Sequence, residues 1–322
     1  MNRVEKLIAE MALPVIAAPM FTVSNPAMAL AVCAEGLMGT FPAHTTRSVE
    51  MLAEWLTIMD EGLAKLANSG GGAIGPFGVN LVVHPTNPRL AGDLDLCIEH
   101  KVPVILTSKG APGEVFDRVH DYGGVVFHDI ASARHAEKAL EAGADGLIAV
   151  CGGAGGHCGT INPFALVNEV RQLTDKALIL AGAVTTGRDV LAAQVMGADL
   201  VYMGTRFINT EESSASDGYR QMIVEAKSND VFFTAAMDGA PANLLAASLV
   251  RAGVDLEDLK RQTPGAIISA QENKKRWKDV WSAGHGVGAI HDVLSVSALC
   301  DRLKAEYAEA RAGLNRLSAV PA

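Results

Sequence analysis

The chain has 322 residues, of which 49% are hydrophobic and 20% are charged, and its formal net charge is −9. This length is sufficient for one large α/β domain with an insertion. The chain contains no block of five like charges and no apolar run of the roughly 18 residues that a membrane span needs, which argues against a nucleic-acid partner and against a membrane partner.

Short apolar runs alternate with longer helical stretches along the chain. In order, the predicted strands are residues 15–18, 37–40, 78–83, 104–107, 125–129, 146–150, 177–181 and 200–203. The predicted helices are residues 27–34, 48–66, 90–100, 113–122, 132–142, 163–174, 188–196 and 295–308. Each strand is apolar on both faces, as expected for a parallel sheet that is covered on both sides.

Eight repeats of strand and helix predict an α/β fold, and specifically a (β/α)8 TIM barrel rather than an open six-stranded sheet. The eighth repeat is interrupted by a polar stretch and then by mostly helical sequence. We therefore predict that residues 1–209 and 285–322 form the barrel. Residues 210–284 are predicted to form a helical substrate-binding or lid subdomain, inserted after the eighth strand on the catalytic face.

The strongest functional signal is the loop 151–159, which follows the sixth predicted strand and contains five glycines. Glycines such as Gly155 and Gly156 let backbone amides approach a ligand closely. His157 lies in the middle of this loop, and histidine suits proton transfer near neutral pH. Because loops after barrel strands form the active-site rim, we favour a catalytic histidine over one that only binds neighbouring backbone.

The cysteines carry no comparable signal. The five of them are odd in number and form no CxxC pair, which disfavours a disulfide framework or a metal site. Cys151 and Cys158 flank the glycine-rich loop, but a cysteine nucleophile is disfavoured because no base partner is evident. Together with an N-terminus unlike a signal peptide, this usage indicates a reducing cytoplasm.

Two further loops follow the seventh and eighth predicted strands, where barrels often bind a phosphate group. The first contains Ala181, Gly182 and Ala183, and the second contains Gly204 and Thr205. Glycine permits close approach of the backbone in each loop, and the threonine adds a hydroxyl. The alternative is that both are simple turns that begin helices.

Other candidates lie at strand ends and in a late turn. Ala18, Pro19 and Met20 end the first strand and offer backbone and a thioether to a flat ring. Single polar candidates at other positions of the same rim are Asn80, Lys109, His128, Ser282 and His285. Each of these has an ordinary alternative as a locally satisfied or exposed side chain.

These motifs together resemble the nitronate monooxygenase family, formerly called 2-nitropropane dioxygenases. The most specific matches are the Ala-Gly-Gly-His-Cys-Gly loop at 154–159 and the Met-Gly-Thr-Arg-Phe stretch at 203–207. The resemblance implies a flavin-binding barrel that holds FMN, with the phosphate bound at 182–183 and 204–205 and the ring near Met20 and Asn80. It implies that His157 is the base in the oxidation of a nitroalkane or alkyl nitronate by O2 to a carbonyl compound and nitrite.

The sequence departs from the family pattern at several positions that affect the substrate. Cys151 begins the loop where glutamine and an acidic residue are common, Ala183 replaces a glycine, His285 replaces a glutamine, and His128 stands where a lysine can contact the cofactor. Similar motifs occur in NAD(P)H:quinone reductases and in enoyl-acyl-carrier-protein reductases, so these activities remain the alternative. A non-catalytic flavin carrier is a third interpretation. The oligomeric state, including a homo-oligomer, stays open.

Overall fold

The structure is a computed structural model that describes residues 1–110, 113–235, 237, 239–261 and 280–317. Its strands are β1 (Val15–Ala17), β2 (Gly39–Pro42), β3 (Phe77–Val82), β4 (Val104–Ser108), β5 (Val125–Ile130), β6 (Gly146–Val150), β7 (Gly156–His157), β8 (Ala177–Ala181), β9 (Leu200–Met203), β10 (Val231–Thr234) and β11 (Ala242–Leu245). The longer strands alternate with helices along the chain.

The described helices are α1 (Arg3–Ala9), α2 (Pro26–Ala34), α3 (Val49–Asn68), α4 (Leu90–Glu99), α5 (Gly113–Asp121), α6 (Ala133–Glu141), α7 (Pro163–Arg171), α8 (Gly187–Met196), α9 (Thr205–Ile208), α10 (Asp217–Glu225), α11 (Ala246–Arg251), α12 (Leu256–Arg261) and α13 (Val296–Leu317). Several begin at side-chain caps that the sequence indicates, such as Ser48 before α3 and Asn25 before the proline that opens α2. Among these described helices, none is long and apolar enough to cross a membrane.

The large sheet is a parallel eight-stranded barrel, which confirms the predicted fold class. Its strands follow the order β1-β9-β8-β6-β5-β4-β3-β2. A bridge between Ile16 and Met38 joins the two ends of this order. The second strand begins two residues later than predicted, because Met38 makes only that bridge before the β2–β3 ladder starts at Gly39.

Alternate residues of the barrel strands face two separate apolar cores. The interior core includes Ile16, Leu106, Phe127 and Ile179, and the core between the sheet and the surrounding helices is larger. The amino end of the interior is covered by α1, a helix that the sequence analysis did not predict. Its apolar residues pack against the interior core, and a capping box at Asn2 fixes its start.

The inserted segment 210–284 is not all helical, which corrects the prediction for its described part. It contains α10, α11 and α12, but also the strands β10 and β11, which pair in an antiparallel ladder. Aromatic and β-branched residues at 231–234 favour a strand there. Residues 262–279 of the predicted subdomain lie outside the described residues.

Candidate active site

The candidate site lies at the carboxyl ends of the barrel strands, where the loops after β6, β8 and β9 meet the late turn 281–289. The backbone amide of His285 donates a hydrogen bond to the carbonyl of Gly153 at 2.9 Å. The amide of Gly284 donates to the hydroxyl of Thr205 at 2.9 Å. The late turn therefore links the glycine-rich loop to the end of β9.

The glycines of this rim pack loop against loop. A Cβ atom on Gly155 would lie 2.7 Å from the backbone nitrogen of Gly284, and one on Gly284 would lie 2.6 Å from the carbonyl oxygen of Gly153. Such distances leave no room for any side chain. Part of the glycine density that sequence analysis assigned to ligand contact therefore serves close packing between two loops.

His157 lies on the short strand β7, with Gly156, and not in an unstructured turn. Its backbone pairs with Ala242 of β11, and Cys158 donates its amide to Pro241 at 3.0 Å. The side chain of His157 is exposed. The inserted segment thus supplies the strand that positions the predicted base beside the barrel rim.

Asn243 is a buried residue of this site that the sequence analysis missed. Its Nδ2 atom donates to the carbonyl of Ala154 at 2.7 Å, while its Oδ1 atom is buried with no partner among the described residues. Because Asn243 also pairs with Gly156 in the β7–β11 ladder, it fixes the glycine-rich loop on both sides of Gly155. No local sequence signal distinguishes this asparagine from others.

The predicted phosphate loops lie side by side, since Ala181 of β8 pairs with Tyr202 of β9. Gly182 has a φ of +146°, and Ala183 has a φ of +57°, which is unusual for a residue with a side chain. A Cβ on Gly204 would meet only side chains, Met20 Sδ at 3.5 Å and Ala18 Cβ at 3.7 Å. Bare backbone at two adjacent strand ends fits a bound phosphate group.

The predicted residues of the first and third strands lie at the carboxyl ends of those strands. Ala18 donates its amide to Met203 at 3.0 Å, and Met20 donates its amide to the hydroxyl of Ser24 at 2.9 Å, with Pro19 between them. Asn80 is almost fully buried and donates from Nδ2 to the carbonyl of Leu106 at 3.2 Å. Gly78, two residues earlier, is next to interior Leu106, so Asn80 also faces the interior.

His128 does not join these interior residues. Its ring contacts Phe116 of α5, with centroids 6.0 Å apart, and its Nδ1 atom lies 2.8 Å from the hydroxyl of Thr107. Burial lowers the pKa of His128 to about 4. The alternation of β5 instead turns its neighbour Asp129 inward, as it does Phe127. The sequence analysis did not select Asp129 as a site residue, although a charged residue at the end of an apolar strand is a signal that could have identified it.

Ser282 and His285 belong to the late turn, which is held from outside by aromatic residues. Tyr219 donates its hydroxyl to the carbonyl of Ser282 at 2.5 Å and stacks on Trp281 at a centroid distance of 4.8 Å. The guanidinium of Arg251 lies 3.6 Å from the centre of the Trp281 ring. Both predicted substrate residues are therefore at the rim, although the contacts that fix them involve their backbone.

Neither cysteine nucleophiles nor metal ligands are found in the described part of the chain. Cys151 is fully buried and donates to the carbonyl of Ala149, and burial raises its pKa to about 12. Burial raises the pKa of Cys158 to about 11. Within the described ranges, no group of three or more His, Cys, Asp or Glu side chains could hold a metal ion.

Comparison with known sequences identifies the family of this barrel. The family model described as nitronate monooxygenase matches residues 86–306. The chain belongs to the nitronate monooxygenase family. It is an oxidoreductase, and the family match covers the glycine-rich loop, both phosphate loops and the late turn.

Individual relatives share most of the chain at low identity. A Rhodococcus jostii (strain RHA1) protein named (3aS,4S,5R,7aS)-5-hydroxy-7a-methyl-1-oxo-octahydro-1H-indene-4-carboxyl-CoA dehydrogenase is 28% identical over 90% of this chain and 76% of that protein. A nitronate monooxygenase of Paraburkholderia phytofirmans (strain DSM 17436 / LMG 22146 / PsJN) is 25% identical over 75% of this chain and 76% of that protein. The solved structure of FabK from Thermotoga maritima has a TM-score of 0.77 and 27% identity, covering 98% of this chain and 99% of that chain.

Proposed function

We propose that this protein is an FMN-dependent monooxygenase that oxidises alkyl nitronates and nitroalkanes with O2 and releases a carbonyl compound and nitrite. The observation that supports this most strongly is the placement of His157. It lies on β7, joined through Gly156 and the glycine-rich loop to the rim above β8 and β9. A proton-transfer group beside a phosphate-binding rim is the arrangement that this reaction needs.

FMN would supply the redox chemistry when it is bound. Its phosphate would be held by backbone at Gly182, Ala183 and Gly204 and by Thr205, where bare backbone is adjacent on two strands. Ala18, Met20 and Asn80 would border the ring, and Ala181 lies at the end of the intervening strand. Gly155 and Gly156 would contribute through the loop that they form.

The chain's own contribution to the reaction is proton transfer and orientation. His157 would accept the α-proton of a neutral nitroalkane at a ring nitrogen, and an imidazolium there would stabilise the resulting anion. The β7–β11 pairing fixes the backbone of His157, and the side chain of Asn243 fixes the preceding loop. Ser282 and His285 would contact the substrate from the late turn, where Ser282 lies beside Gly156 and His285 beside Gly153.

A spectrum and a reduction experiment test this proposal. The purified protein should show the visible absorbance of a flavin, and nitronate should bleach it under anaerobic conditions. NADH should bleach it slowly or not at all. A protein without flavin absorbance would contradict the proposed cofactor, and rapid bleaching by NADH alone would contradict the proposed substrate.

The second candidate is an NAD(P)H-dependent quinone or enoyl reductase at the same FMN site. The similarity to FabK over nearly the whole chain, and to a Rhodococcus protein named as a CoA-ester dehydrogenase, supports this alternative. Both candidates use the same loops and differ in the electron donor. Rapid anaerobic bleaching by NADH or NADPH, with reoxidation by a quinone or an enoyl thioester, would select the reductase.

A further inference from the structure

The interior of the barrel contains a pair of titratable groups that the proposed reaction does not use. Asp129 of β5 and Tyr202 of β9 both face inward, Tyr202 against the core that contains Ile16 and Phe127. The charge of Asp129 contributes to a raised pKa of Tyr202, after burial, so the two groups interact across the interior.

Asp129 is half-buried at the end of β5. Its Oδ1 atom is buried and makes no hydrogen bond with any described residue. A buried carboxyl oxygen without a partner destabilises a fold, and a ligand-binding role is one explanation for such a group in a native protein.

Asp129 lies at the carboxyl end of its strand, on the interior side of the barrel. It is the last inward residue of β5, two residues beyond Phe127. Asn80 occupies a comparable inward position near the end of β3. The carboxyl therefore lies at the strand ends where barrels bind their ligands. The residue beside it on β6, Ile148, does not titrate.

We propose that Asp129 is a flavin-binding residue whose carboxyl group hydrogen-bonds a polar atom of the isoalloxazine ring from inside the barrel. This inference rests on the proposed FMN site. Burial raises the pKa of Asp129 to about 7, so near neutral pH the carboxyl changes between a hydrogen-bond donor and an acceptor. The charge beside the isoalloxazine ring would therefore change with pH as the Asp129 carboxyl loses its proton.

The test compares Asp129→Asn, Asp129→Leu and Tyr202→Phe holoproteins with the parent, using the flavin absorption spectrum from about pH 5 to about pH 9. The parent spectrum should change with a midpoint near neutral pH, and the Tyr202→Phe spectrum should change similarly. The Asp129→Asn spectrum should stay constant, because the amide cannot ionise. FMN affinity should fall by about tenfold or more in Asp129→Leu and by less than about threefold in Asp129→Asn.

Thermal unfolding provides the control for a structural role. Neither Asp129 variant should lower the melting temperature, because each removes an unpartnered buried acid. A pH-independent parent spectrum, or unchanged FMN affinity in Asp129→Leu, would overturn the inference while leaving the FMN proposal intact. A parent protein that binds no FMN would overturn the proposed function and this inference together.

Discussion

The backbone of His157 pairs with that of Ala242 in an antiparallel ladder. The proposed base is therefore positioned by the inserted segment as well as by the barrel loop that carries it. In the proposed function, the barrel loops would bind the cofactor. The inserted segment would orient the proton-transfer group through this pairing.

Replacing His157 with Ala should separate proton transfer from cofactor binding. We expect the variant to keep its flavin absorbance, while turnover of a neutral nitroalkane falls by about 10²–10⁴-fold, the usual contribution of a general base. Pre-formed nitronate needs no proton abstraction and should react at a rate much closer to that of the parent. Steady-state assays with both substrates measure this, and equal losses on both would contradict the assignment.

Gly155→Ala should disturb the contact between the two glycine-rich loops. The new Cβ would lie 2.7 Å from the nitrogen of Gly284, so the late turn must move. We expect stability to fall by about 1–3 kcal/mol, with a loss of turnover, measured by denaturant unfolding and by assay.

Gly113→Ala is the matched control for this substitution. A Cβ on Gly113 meets nothing within 4 Å, at the start of helix α5. This variant should be as stable as the parent or slightly more stable. Equal behaviour of the two glycine variants would show that the rim tolerates a side chain at 155.

Asn243→Ala should weaken the hold of the insert on the glycine-rich loop. The substitution removes the 2.7 Å hydrogen bond to Ala154 from a buried position, which should cost about 1–2 kcal/mol of stability. Turnover of neutral nitroalkane should fall, with the flavin spectrum retained. Ser48→Ala, which removes the cap of α3, should cost about 1 kcal/mol without affecting turnover. Parallel activity losses in both variants would indicate a general stability effect.

His128 should make the fold sensitive to acid. Burial holds its pKa at about 4, below the unfolded value near 6.5, so the unfolded chain binds a proton first as the pH falls. The stability that neutral His128 contributes is present above about pH 6.5 and is lost as the pH falls toward 4, by about 3 kcal/mol at most.

His128→Gln should remove this part of the acid sensitivity, because glutamine does not titrate. Chemical denaturation at several pH values measures the difference between parent and variant. His84→Gln, at an exposed residue, provides the comparison and should follow the parent curve. A parent and a His128→Gln variant that lose stability in parallel below pH 6.5 would contradict the prediction.

The barrel itself was predictable because each repeat carries its own local signals. The strands at 146–150, 177–181 and 200–203 have the predicted bounds, since a glycine follows each apolar run within two residues. The helix α1 was missed because it has only seven residues. Its apolar residues are explained only by the end of the barrel that they cover, which the local sequence does not show.

The site was only partly predictable, because pairing between distant segments leaves no local trace. The glycine-rich loop and the phosphate loops could be located from their composition. The strand character of Gly156 and His157 depends on β11, and the contact of Asn243 with Ala154 depends on the same pairing. Alternate residues of β5 face the interior, so only one of His128 and Asp129 can do so. Because β5 is apolar on both faces, its sequence does not show which of the two faces inward.

The order of the chain gives the β7–β11 pairing a further consequence during synthesis. All eight barrel strands leave the ribosome before β11, because the last of them, β9, ends at Met203 and β11 starts at Ala242. Domains begin to fold as they emerge. The eight strands can therefore pair while the segment that holds His157 in place is still being made, whereas the last barrel helix, α13, follows that segment and completes the core together with the active site.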